Sequence, residues 1–254
     1  MTTFEKIVKY AATGFAALLA VGIVIGVLKI GYVGITAIAG GNADLQDTTA
    51  TFDKDEVDSI YISNNVADVE IYTTNSSKIT IEATDVFESF SCTVSRKGTL
   101  NIDNSKKNVF SALFNKSPKI IIYLPEDLSL NTLELNGGVG DIEAENLNIN
   151  QLIIDGGVGD IEMDNCNIKD GDFDTGIGDF NIKDSTLLNA SIDNGIGDIT
   201  LELNGNIDDY SFEMDNGIGE IRINDKKASY YLEEDGKYEI ECDNGIGDIK
   251  ITIK

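Results

Sequence analysis

The sequence predicts an all-β protein: a single-stranded parallel β-solenoid (β-helix) with rungs of about 19 residues, preceded by one amino-terminal transmembrane helix. Three observations carry that expectation: a recurring phrase, its fixed period, and the apolar columns that appear when its copies are aligned. The phrase reads Asn-Gly-Gly-Val-Gly-Asp-Ile at 136–142, Asp-Gly-Gly-Val-Gly-Asp-Ile at 155–161 and Asp-Thr-Gly-Ile-Gly-Asp-Phe at 174–180. It returns as Asp-Asn-Gly-Ile-Gly-Asp-Ile at 193–199 and 243–249, and as Asp-Asn-Gly-Ile-Gly-Glu-Ile at 215–221. Gly140, Gly159, Gly178 and Gly197 are each 19 residues apart, and Gly219 and Gly247 follow after 22 and 28. A period of this size means one supersecondary unit stacked on itself, not a globular fold around a pocket.

Taken in chain order, the first element is the apolar stretch over residues 10–39. Residues 10–28 carry no charge and approach the roughly 20 residues a helix needs to cross a bilayer. Lys29 interrupts the stretch and is expected to snorkel at the outer interface. Lys6 and Lys9, opposed only by Glu5, place the amino terminus in the cytoplasm and everything after residue 40 outside. A cleaved signal peptide is the rival reading, because Ala37-Ile38-Ala39 resembles a small-residue cleavage site. The length of the apolar stretch favours a retained anchor. Residues 1–39 are thus a cytoplasmic tip and membrane anchor, 40–56 a polar linker and 57–254 the solenoid.

Within the solenoid, 57–130 holds degenerate rungs and 131–254 the regular repeats. Residues 60–69 match the phrase with Asn65 and Ala67 at two glycine positions. Strands are expected over 78–82, 91–94, 99–102 and 119–125, with a loop or short helix over 104–117. Among the regular repeats, a first column holds Leu135, Ile154, Phe173, Ile192, Met214 and Cys242. A second holds Ile142, Ile161, Phe180, Ile199, Ile221 and Ile249, and a third runs from Ala144 and Met163 to Ile251. Alternation between columns is the period of a strand with one face buried. Val139 and its equivalents are assigned to the interior as well, so the chain must turn at Gly140-Asp141. The Asx residue opening each phrase is expected to bond its own backbone at a second corner. Residues 206–209 and 225–237 read as loops, and the last rung as an open edge suited to self-association.

The 44 acidic and 19 basic residues give a net charge of -25, which repels phosphate backbones and excludes nucleic acid as a partner. No histidine is present, removing the commonest general base and metal ligand. Cys92, Cys166 and Cys242 are widely spaced, with no zinc or redox pattern, and two of them fall in core columns. One set of side chains holds chemical promise: the stacked acids Asp141, Asp160, Asp179, Asp198, Glu220 and Asp248. Unit charges about 4.8 Å apart repel by about 1 kcal/mol even in bulk water. Either each carboxylate accepts backbone hydrogen bonds at its own corner and fans into solvent, or calcium bridges the rungs. The Gly-Asp spacing departs from the nonapeptide calcium repeat. No catalytic residues or cofactor site can be assembled, so the chain is read as not an enzyme. A carbohydrate-active β-helix is the remaining catalytic alternative.

The apolar amino terminus, the strands over 60–71, the Ile-Tyr-Leu-Pro strand end at 122–125 and the Gly-Asp-Ile repeats together resemble a bacterial family. It is the "putative adhesin" β-strand-repeat family of unknown function, related to toast-rack domains, and the resemblance covers residues 57–254. The resemblance implies a membrane-tethered bacterial protein without known catalytic residues. It also implies two roles: adhesin-like binding of a protein or glycan at the cell envelope, or envelope-stress sensing beside the membrane.

Overall fold

The computed structural model describes residues 45–105, 117–228, 231–233 and 236–254, with the side chains of 228–235 left aside. The expected membrane span over 10–39 and most of the segment expected to loop over 104–117 lie outside these residues. Among the described residues no helix is long and apolar enough to cross a membrane.

The chain begins with β1 (Leu45–Asp53), β2 (Ser59–Val66), β3 (Asp68–Thr74), β4 (Lys78–Phe87), β5 (Ser91–Val94) and β6 (Thr99–Asn104). Next come β7 (Lys119–Pro125), β8 (Leu130–Val139), β9 (Ile142–Glu145), β10 (Asn148–Val158), β11 (Ile161–Asp164) and β12 (Asn167–Ile177). The long β13 (Phe180–Ile196) precedes β14 (Ile199–Leu203), β15 (Tyr210–Ile218) and β16 (Ile221–Ile223). The last four are β17 (Lys226–Ala228), β18 (Tyr231–Glu233), β19 (Tyr238–Ile246) and β20 (Ile249–Ile253).

The period has a direct explanation. One repeat is an eleven-residue strand, Asn148–Val158, a two-residue corner, a four-residue strand, Ile161–Asp164, and a second two-residue corner. Successive repeats then pair in parallel without slip, Ile154 opposite Phe173 and Ile161 opposite Phe180. The longer strands form one sheet and the shorter strands a second, with β13 bending from one to the other. Both sheets turn their apolar columns inward. Leu135, Ile154, Phe173, Ile192, Met214 and Cys242 are buried on one side, and Ile142, Ile161, Phe180, Ile199, Ile221 and Ile249 on the other. Local volume is balanced inside this core. Phe173 meets Phe180 edge-on with ring centroids 4.8 Å apart, and Gly171 leaves the space its ring needs: a methyl there would lie 2.5 Å from it.

The stack is not wound in simple chain order. The rung β2–β3 lies between β6 and β7 on one side and β8 and β9 on the other. Likewise β19–β20 lies between β13–β14 and β15–β16. The last three phrases are nearly identical, so each can stack on any other. The three residues by which the Gly197–Gly219 interval exceeds the period let the chain pass over one rung, leaving a slot that β19–β20 fills. The expected open edge at the last rung is therefore corrected, because that rung is paired on both sides. Antiparallel strands close the ends: β17 and β18 at one, β4, β1 and β5 at the other. Two sequence assignments change accordingly. Residues 45–53 of the expected linker are strand β1 on β4, and the expected loop over 225–237 contributes the capping strands β17 and β18.

Candidate functional site

The surface features that repeat most faithfully meet at the corner where the longer strand of each rung passes into the shorter one. Gly140, Gly159, Gly178 and Gly197 make this turn with φ of 141°, 150°, 152° and 146°, a region closed to most side chains. Close approach forbids a side chain independently: a Cβ on Gly178 would lie 2.0 Å from the carbonyl oxygen of Gly159.

The interior of the corner is polar. Asn64, Asn194 and Asn244 are buried there, and Asn64 and Asn194 each reach across the turn to the carbonyl three residues on. Asn64 donates to Ala67 O at 2.7 Å and Asn194 to Gly197 O at 3.3 Å. The amides also link rungs. Asn104 donates to Asn64 at 3.0 Å, Thr175 to Asn194 at 2.7 Å and Asn194 to Asn244 at 3.2 Å. Gly137 and Gly156 interrupt the ladder, leaving a space of about 10 Å³ between Asn64 and Thr175.

The column assigned to the interior by alternation lies outside instead, because the chain is already turning toward Gly140 and its equivalents there. Val139 and Val158 point outward at 43% and 45% exposure, and Ile177, Ile196, Ile246 and Ile218 are partly exposed. Asn64 and Asn194 of the ladder take the role expected of the opening Asx residues: Asp155, Asp174, Asp193, Asp215 and Asp243 face solvent. The sequence carried the signal, since Asn follows Asp in three of the six phrases at a position flanked by outward residues.

The candidate acids form one continuous ladder along the outside of the corner. Each carboxylate accepts a hydrogen bond from the backbone N–H of the next acid along the stack. Asp141 accepts from Asp160 N at 2.8 Å, Asp160 from Asp179 N at 2.8 Å and Asp179 from Asp198 N at 2.9 Å. The series continues through Asp198 to Asp248 N at 2.7 Å and Asp248 to Glu220 N at 2.8 Å. At the opposite end Asp68, which the sequence pattern did not single out, accepts from Asp141 N at 3.1 Å. Glu220 differs: Lys227 and Arg222 pair with it and hold its carboxyl below the usual range. Here the ladder meets a shallow depression of about 380 Å³ that also includes Thr200, Asp225 and Lys250. Among the described residues no three His, Cys, Asp or Glu side chains gather in a way that could hold a metal ion.

A second acid column, Asp155, Asp174, Asp193, Asp243 and Asp215, runs parallel to the first in unbroken register. Although Asp243 faces solvent, partial desolvation between its neighbouring rungs pushes its carboxyl up, helped by the like charges of Asp193 and Asp215. The cysteines are unpaired, and burial raises their thiols, Cys92 to about 12 and Cys166 to about 11. At neutral pH they are packing groups, not thiolate nucleophiles.

A family described as Toastrack DUF4097 matches residues 57–254. A solved structure named "putative cell adhesion protein" from Clostridium sporogenes is similar at 19% identity, covering 83% of this chain and 100% of that one, with a TM-score of 0.55. A "putative adhesin" from Bacteroides fragilis is similar at 16% identity over 84% of this chain and 100% of its own, with a TM-score of 0.43. No curated protein matches.

Proposed function

The chain belongs to the Toastrack DUF4097 family, and from that premise we propose that it is a non-enzymatic, adhesin-like surface protein of the cell envelope. The observation that carries this reading is the regular array outside the corner. The same carboxylate and the same Val or Ile recur on successive rungs, about 4.8 Å apart. Catalysis calls for a few unlike groups converging on one reacting atom, whereas a periodic array presents one contact many times over. The name of the Clostridium sporogenes protein lends support in the same direction. Residues 10–39 supply attachment as a single-pass anchor, with the strand unit outside the cell and a protein or glycan as its partner.

One observation favours a second reading, a membrane-proximal sensing or regulatory scaffold. Strand β1 begins at Leu45, so five residues, 40–44, separate it from the apolar stretch, and these span at most about 18 Å. Protease accessibility on intact cells, repeated after the wall is stripped, decides between the two. Cleavage on intact cells is the adhesin result, and cleavage only after stripping is the scaffold result. Protection under both conditions overturns the topology.

A further inference from the structure

The Val/Ile column, exposed at Val139 and Val158 and partly exposed along the rest, is an unusual use of apolar surface. It runs in register from Val66 through Val139, Val158, Ile177, Ile196 and Ile246 to Ile218. At about 4.8 Å per rung its six steps make a ridge of about 29 Å. From Val139 to Ile218 glycine flanks it on both sides, and neither flank can acquire a side chain; at the Val66 end the flanking residues are Asn65 and Ala67. A Cβ on Gly157 would lie 2.2 Å from the carbonyl oxygen of Gly138, and one on Gly159 2.0 Å from that of Gly140. The apolar side chains thus stand between two bare backbone strips. Beyond each strip lies a row of carboxylates, Asp155, Asp174 and Asp193 on one side and Asp160, Asp179 and Asp198 on the other. Among the described residues Glu220, at the end of the second row, pairs with Lys227 and Arg222, while other ion pairs engage acids outside both rows, such as Glu70, Glu162 and Glu202.

We propose that this ridge is a docking surface for a cationic amphipathic segment of a partner protein, apolar along its centre and bearing Lys or Arg on both flanks. The inference rests on the binding role above and specifies the partner's chemistry. Charge complementarity selects the occupant. A second copy of this chain would bring carboxylate rows against carboxylate rows, and an anionic bilayer surface is repelled by the same rows. A segment with the complementary pattern buries the Val and Ile side chains while its cations meet both rows. A helix of roughly 20 residues matches the ridge in length.

The test is binding of a labelled helical peptide, a Leu stripe between two Lys rows, to the full-length chain in non-ionic detergent. Two control peptides keep the Lys rows without the stripe, or the stripe with Glu rows. The striped Lys peptide is expected to bind at least about tenfold more tightly than either control. Val158→Ser/Ile177→Ser and, separately, Asp160→Asn/Asp179→Asn should each weaken it about tenfold or more. Asn retains an acceptor for the next rung's N–H, and circular dichroism confirms that each variant folds. Equal binding of the stripeless Lys peptide, or indifference to Val158→Ser/Ile177→Ser, overturns the proposal. So does a dimer in sedimentation that the same substitutions dissolve. Cleavage on intact cells without ridge-dependent peptide binding removes the ridge and leaves the surface reading standing. Ridge-dependent binding with protection after wall removal does the reverse.

Discussion

Gly156 and Gly178 look alike in sequence, yet the structure gives them opposite requirements. At Gly156 an added methyl meets nothing closer than 3.8 Å and the backbone is not in the left-handed region. The position also borders the gap in the Asn ladder. Gly156→Ala is therefore expected to stabilise by about 0.4–1 kcal/mol, because it reduces the freedom of the unfolded chain, raising Tm by about 1–4 °C. At Gly178 the φ of 152° and a carbonyl oxygen 2.0 Å from the new Cβ combine. Gly178→Ala is expected to cost about 3 kcal/mol or more. Thermal melts of the two variants check both signs. A fall in Tm for Gly156→Ala would refute the entropic gain and show that this rung requires a bare backbone where its neighbours carry Thr175 and Asn194.

At the scale of the element, the repeat should behave as an exchangeable unit. Deleting 148–166 removes one strand of each sheet with both corners and joins Leu147 to Asn167. Strand β8 then faces β12 with Leu135 opposite Phe173 and Val139 opposite Ile177, both of which now pair with β10. The Asp141 carboxylate would meet Asp179 N. The shortened protein is expected to fold cooperatively with reduced stability, since each rung depends on its neighbours. Deleting 148–156 instead leaves a broken rung and should abolish folding; a cooperative melt from that shorter deletion would refute the rung as the unit. This unit was legible in the sequence because the spacing of 19 and the columns through Ile154 and Ile161 have one physical cause, parallel in-register pairing. Two features were not legible. The order of the last rungs depends on which of three nearly identical phrases meets which, and local pattern is silent on that. Val139 keeps the alternation of its strand, but the chain is already turning at Gly140, so alternation no longer assigns its side chain to the interior.

For the whole molecule the governing quantity is the charge of -25, with 12 of the 44 acidic residues standing in two columns along one corner. Asp243 shows how that charge acts on stability. Its folded-state carboxyl is raised by partial desolvation and by Asp193 and Asp215, so the folded state binds the proton more tightly than the unfolded chain. Stability must then fall as pH rises from the ordinary aspartate range through the raised value, and return on acidification. Asp243→Asn should accordingly raise Tm at neutral pH, with the advantage over the parent shrinking as pH falls. Glu220 acts in the opposite sense. Its lowered carboxyl favours folding above the ordinary glutamate range, and that contribution is lost on acidification through the lowered value, so the comparison of Asp243→Asn with the parent isolates Asp243. Added salt should stabilise by screening the columns. Calcium is the informative ion. Each ladder carboxylate from Asp141 to Asp248 already accepts a backbone N–H from the next rung, and no three acids converge among the described residues. Calcium chloride is therefore expected to raise Tm no more than magnesium chloride at equal ionic strength. A larger shift with calcium, abolished by Asp160→Asn/Asp179→Asn, would mean that the ladder binds the ion between rungs and that its hydrogen bonds rearrange to do so.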